Sequence, residues 1–238
     1  MSSARPKARL AGLFYLITAL TGGFAEFVVR GHVIVSGNAA ATAQNIVASE
    51  GFYRLAFVAD LLGGAAYLVV TLLLYELLRP VSRSISLLAA FFSIVGIGVG
   101  SIAALAHLAP LFLLSGASYL HGFDEQQLQT LSYLAIKLHA QGYLIALVFF
   151  GFYEVLLGYL IFMSTFFPRT LGILVGIAGL AFLTIGFASF LSPQLGNELN
   201  AYMLILDAVG EISLMLWLLI VGVNPAKWKE RAQTTSAS

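Results

Sequence analysis

The chain contains no cysteine. That removes disulfides, thiolate metal sites, iron–sulfur clusters and thiol redox chemistry. Charge is nearly as scarce. Asp, Glu, Lys and Arg make up 10 % of the 238 residues, where a soluble globular domain carries about 25 %. Water is therefore not the main solvent of this chain. The net charge is +1 and the basic residues are scattered rather than gathered in a patch, which excludes nucleic acid as a partner. Catalytic signatures are missing too: there is no HExxH, GxSxG, P-loop or dinucleotide fingerprint.

Apolar residues are what the chain has. They form 60 % of it, and the mean hydropathy is +0.93. A spanning helix needs roughly 20 mostly apolar residues. Six runs qualify: Leu10–Val29, Phe52–Leu78, Ile85–Leu114, Leu138–Met163, Leu171–Leu191 and Asn200–Val223. Prolines punctuate them at Arg79-Pro80, Phe167-Pro168, Ser192-Pro193 and Asn224-Pro225. The first run follows Arg5, Lys7 and Arg9, is long enough to span, and has no small-residue cleavage motif behind it. It reads as a retained transmembrane helix.

The expected fold is all-α: an integral membrane bundle of six transmembrane helices over 10–223. Residues 1–9 and 224–238 are expected as cytoplasmic ends. Nine of the twelve Lys and Arg fall on the side of the even-numbered connections and three on the other. The positive-inside rule then places both termini in the cytoplasm. Two further segments read as short outer helices. Ala39–Glu50 follows a candidate cap at Asn38. Asp124–Lys137 has Leu128, Leu131 and Leu134 at helical spacing, and reads equally as a projection of the fourth span.

The ionisable residues fall on the faces that carry the small residues. Tyr15, Ala19, Gly22, Glu26 and Arg30 share a face of the first helix, and Tyr53, Ala56, Asp60, Gly63, Tyr67 and Thr71 one of the second. Gly96, Gly100, Ala103 and His107 do so on the third, and His139, Gly151 and Glu154 on the fourth. Asp207 and Glu211 align on the sixth, while the fifth has glycines at 172, 176, 179 and 186 and no ionisable group. Small residues mark helix–helix contact. A lipid-facing charge at mid-bilayer costs at least about 2.5–3.5 kcal/mol. These residues are therefore expected to face a shared interior. Counted from the helix ends at about 1.5 Å per residue, Glu26, Arg30, Asp60, His107, His139 and Asp207 come out in the outer half. Glu211 comes out near the middle and Glu154 deeper.

The expected site is Glu26, Arg30, Arg54, Asp60, His107, His139, Glu154, Asp207 and Glu211. Acids outnumber the nearby permanent cations, Arg30 and Arg54. Unpaired carboxylates are not stable in a low dielectric, so the surplus acids must be protonated, pair with a histidine or hold a cation. In the alternative without function, Glu26–Arg30 and Asp60–Arg54 are structural pairs and the remaining acids are hydrogen-bonded. His107 and His139 lie on successive helices. Together they are suited to haem, or with Asp60 and Glu211 or Asp207 to a divalent metal. A histidine satisfied by a carboxylate is commoner than either, so the sequence names no cofactor.

Several stretches together resemble a bacterial membrane family known as domain of unknown function 4386. They are Arg9–Thr18, Gly23–Arg30, Arg54–Leu61, Leu74–Val81, Phe149–Gly151, Leu157–Ile161, Phe167–Gly172, Gly210–Leu214 and Leu216–Leu219. The resemblance covers nearly the whole chain. It implies a multi-pass bacterial membrane protein and puts Glu26, Arg30, Arg54, Asp60 and Glu211 in the family's pattern. It supplies no activity. Where relatives carry a histidine before the Leu-Gly-Tyr motif this chain has Tyr153, which counts against haem or metal at that position.

Three functional readings stay open. The first is binding of a small molecule or a lipid headgroup in an outward-facing cavity, with membrane enzyme chemistry as an extension. The second is a proton- or cation-coupled transporter or channel. The third is a structural or partner-binding membrane protein. The partners these readings call for are membrane lipids and a small molecule or cation, and the oligomeric state is left open.

Overall fold

The structure is a computed structural model that describes residues 4–236. The parts of the two expected cytoplasmic ends at 1–3 and 237–238 lie outside the described residues. Those described form helices, turns and loops without a strand. Six helices are long and apolar enough to cross a membrane: α1 (Ala4–Val33), α3 (Glu50–Leu78), α4 (Arg83–Leu113), α5 (Glu125–Met163), α6 (Arg169–Leu191) and α7 (Pro193–Val221). Two shorter helices join them, α2 (Ala39–Ala48) and α8 (Pro225–Ser236). The six expected spans are all present.

The helix boundaries follow local chemistry. Asn38 caps α2, its side-chain oxygen accepting from the Ala41 N–H at 2.9 Å. Asp124 and Gln127 form a reciprocal capping box ahead of α5. The Gln127 N–H donates to Asp124 Oδ1 at 2.8 Å, and the Asp124 N–H to Gln127 Oε1 at 2.9 Å. From there α5 runs unbroken for 39 residues, so Asp124–Lys137 is a projection of the fourth span rather than a separate helix. Pro193 opens α7, where a missing N–H costs nothing. This start lies seven residues before the expected one at Asn200. It moves Asp207 and Glu211 about 10 Å further along their helix than the sequence count allowed.

Two helices change pitch. Phe24–Arg30 in α1 and Trp217–Val221 in α7 are π-helical. In α1 the Gly31 N–H donates to the carbonyl of Glu26, five residues back. A wider turn rotates every later side chain off the 3.6-residue register. Ala25, Val29, Arg30 and Val33 are buried as a result, while Glu26 turns outward with its side chain 61 % exposed. Glu26 thus leaves the buried face expected of it, although its carboxylate still reaches Arg30 one turn on.

The chain divides into two compact units, and α1, α3, α4 and α5 each contribute to both. One unit holds 17–65 and 98–143. Its core is Ala25, Val29, Val33, Ile46, Tyr53, Ala56, Ala59 and Ile136. The other holds 4–16, 66–97 and 144–236 of the described chain. Its main core gathers Tyr15, Tyr67, Leu74, Leu77, Tyr153, Leu160, Ile161, Leu214 and Leu218, among others.

The second unit is organised by glycine. Gly158 of α5 lies against Gly172 and Gly176 of α6. A methyl group on Gly158 would come within 3 Å of the Gly172 carbonyl oxygen and the Gly176 nitrogen. A methyl on Gly179 would meet Val155 N, Gly151 O and Glu154 Cβ, again within 3 Å. Gly210 of α7 lies against Leu174 and Ala178 of α6 in the same way. The helices meet backbone to backbone, the mode small residues permit in lipid. α6 is thus the thin wall on which α5 and α7 both pack.

Candidate functional site

In the unit of 17–65 and 98–143, the buried cation is fully engaged. Arg30 Nε donates to Glu26 Oε2 at 2.7 Å, one helical turn away. Its Nη1 and Nη2 donate to Asp60 Oδ2 and Oδ1 at 2.7 and 3.3 Å. This two-pronged contact uses the planar fork of the guanidinium on both carboxylate oxygens. Asp60 therefore pairs with Arg30, not with Arg54 as the sequence suggested. Arg54 and Asp60 are six residues apart on one helix, about 120° apart in projection. Arg54 turns instead to Glu50, four residues back, and both side chains are more than half exposed.

The two histidines of this unit do come together. His107 is 2 % exposed and stacks on Tyr53, ring centroids 4.1 Å apart and planes at 12°. His139 meets the His107 ring edge-on at 5.5 Å. Each ring donates one N–H to a main-chain carbonyl: His107 Nε2 to Tyr53 O at 3.2 Å and His139 Nδ1 to Ala103 O at 3.0 Å. Gly142 lets α5 approach Ala103 that closely, since a methyl there would collide with the Ala103 side chain. Carbonyls therefore satisfy these histidines, where the sequence expected carboxylates. Asp60 is held by Arg30. Among the described residues, His107, His139 and Asp60 do not form a group with ligand atoms as close as a shared metal needs.

The other unit brings together three acids that the depth count sets at different levels. One carboxylate oxygen each from Glu154 on α5 and Asp207 and Glu211 on α7 lie within 4.8 Å of one another. Asp207 and Glu211 are four residues apart and share a face of α7. Glu154 reaches them because Gly179 of α6 sits against its Cβ. Glu154 is 2 % exposed, and neither of its oxygens has a hydrogen-bond partner outside the cluster, where Glu211 lies beside it. Asp207 Oδ1 is likewise buried without one. Glu211 Oε1 accepts from the Tyr15 hydroxyl at 2.9 Å. Tyr15 packs edge-on against Tyr67, which packs edge-on against Tyr153. Among the described residues, no Lys, Arg or His forms an ion pair with any of the three acids.

The model for the family described as domain of unknown function (DUF4386) matches residues 10–222. The chain belongs to that family. No curated protein and no solved structure matches it. The matched stretch reaches from α1 into the end of α7, so it contains both acid groups and both histidines. The family description assigns no activity to them.

Nothing in the sequence ties Tyr15 to Glu211, and the glycine at 179 bears on Glu154 only because α5 and α6 meet there. Gly151, three residues before Glu154, marks the face of α5 that closes on α6, as the sequence pattern predicts.

Proposed function

We propose that this is a multi-pass protein of the bacterial cytoplasmic membrane that binds a cation or protons at Glu154, Asp207 and Glu211 and couples that binding to transport. The carrying observation is Glu154. It is a fully buried carboxyl group whose oxygens have no partner but the neighbouring acids, and no basic residue beside it. A low-dielectric interior does not hold three uncompensated carboxylates. Positive charge must therefore reach them, and ionisable groups inside a membrane mark ion pathways by default. The six apolar helices support a membrane location, the bacterial assignment is what the resemblance to the family implies, and the nine-to-three split of basic residues supports cytoplasmic termini.

The headgroup-binding reading has less support. An anionic headgroup needs a free cation, and the buried Arg30 is already taken by Asp60 and Glu26. The test is a flux assay in proteoliposomes, with pH-, Na⁺- and Ca²⁺-sensitive dyes. The expected result is flux of at least one of these ions, abolished by Glu154→Gln. Absence of all three in correctly inserted wild-type protein would sink the proposal.

A further inference from the structure

The geometry points to a hard divalent cation, of the Ca²⁺, Mn²⁺ or Mg²⁺ class, as the ligand of Glu154, Asp207 and Glu211. This deepens the proposed function and rests on reading the triad as a cation site. Three acids in proximity do not by themselves make a site. Here the most buried of them, Glu154, directs an oxygen into the cluster, and neither of its oxygens has a hydrogen-bond partner outside the three acids. Buried carboxylates are almost always hydrogen-bonded, so these lone pairs call for an electrophile.

Donor chemistry narrows the class. The set is all oxygen, with no imidazole or thiolate among its members. Carboxylate oxygens suit Mg²⁺, Ca²⁺ and Mn²⁺, whereas Zn²⁺ and Cu²⁺ prefer sites with nitrogen or sulfur. Spacing agrees. No two oxygens bound to one Ca²⁺ at about 2.3–2.6 Å can be more than about 4.6–5.2 Å apart, and the three oxygens, all within 4.8 Å of each other, fit under that ceiling. Charge agrees as well. Three carboxylates leave a monovalent ion under-compensated by two charges, and a divalent ion by one.

The surroundings hold the ligands in place. Tyr15 on α1 anchors one oxygen of Glu211, as outer partners of metal ligands do. Gly179 fixes the approach of α5 to α6, and Gly210 that of α7 to α6. The groups facing the cluster are Tyr15, Tyr67 and Tyr153, and α6 supplies no charge.

Mn²⁺ is the probe, because its free-ion electron paramagnetic resonance signal disappears on binding. Purified full-length protein in mild detergent is titrated with Mn²⁺, and its thermal midpoint is followed in parallel. Wild type is expected to take up one Mn²⁺ per chain, to rise in Tm with Mn²⁺, and to release Mn²⁺ to Ca²⁺. Glu154→Gln and Asp207→Asn, near-isosteric changes, should each weaken binding by more than about tenfold, and Tyr15→Phe by about tenfold. Glu76→Gln, which removes an acid paired with Lys7 elsewhere in the chain, should leave binding unchanged. Should Glu154→Gln fail to fold, Tyr15→Phe keeps every carboxylate and carries the test alone.

No uptake by folded wild type overturns the inference, as does equal uptake by wild type and the folded triad variants. Missing Mn²⁺ binding with proton or Na⁺ flux intact removes the divalent ion and leaves the transport reading standing. Mn²⁺ binding at the triad without any flux upholds the inference and removes transport.

Discussion

Glu26 and Asp60 have a guanidinium between them; Glu154, Asp207 and Glu211 have none. Both groups are carboxylates placed by apolar helices, and the difference lies in what accompanies them. Arg30 makes the first group self-sufficient, with three charge-assisted hydrogen bonds inside the chain. In the second group one tyrosine hydroxyl serves one oxygen, and Glu154 has no partner outside the three acids. The first arrangement completes a fold. The second, under the proposed function, is completed by a bound ion.

The strongest way to break this comparison is to remove the guanidinium. Arg30→Met strands Asp60 and should cost about 3 kcal/mol, the low end for a broken buried pair because Glu26 is 61 % exposed. Unfolding in mild detergent measures it. Adding Asp60→Asn should return most of that loss. If the double variant is no more stable than the single one, Asp60 does not depend on Arg30.

Next in size is the wall beneath the other group. Gly179→Ala puts a methyl within 3 Å of Val155 N, Gly151 O and Glu154 Cβ. It should cost about 1–3 kcal/mol through overpacking and weaken Mn²⁺ binding by spreading the acids. Unchanged stability and Mn²⁺ affinity would show that the seam does not set the site.

Glu154→Gln should move in the opposite direction to Arg30→Met. Removing a buried acid with no partner is expected to raise metal-free stability, by about 1 kcal/mol. A large loss would mean that Glu154 is satisfied within the chain after all. The smallest effect is expected at Arg54→Ala, under about 0.5 kcal/mol, because Arg54 and Glu50 are both mostly in solvent. A loss above 1 kcal/mol there would return Arg54 to the buried group from which the structure removes it.

Much of the fold was legible because lipid imposes simple rules. Apolar run length gave the six spans, prolines gave most of the breaks, and Asn38 gave the cap of α2. The acidic character of the interior was legible from helix faces. Its partition was not. Depth counting put Glu154 and Asp207 on different levels, since α7 was started at Asn200 instead of Pro193. Glu26 was placed inward because a π-turn leaves no clear mark in composition. Arg54 was assigned to Asp60 by nearness in sequence, although six residues on a helix point them apart. Each error is one of register or origin rather than of residue chemistry, and side-chain chemistry alone cannot locate a helix start.

The glycine seam has a consequence for how the protein is made. Gly151, Gly158, Gly172, Gly176 and Gly179 all precede α7 in the chain. The surface that positions Glu154 is thus synthesised before the residues that complete the acid cluster. Asp207 and Glu211 come afterwards, on a helix joined to α6 through Ser192 alone. The acid cluster is therefore closed only after its seam exists. Truncation after α6 would leave the hairpin of α5 and α6 with its seam and without two of the three acids.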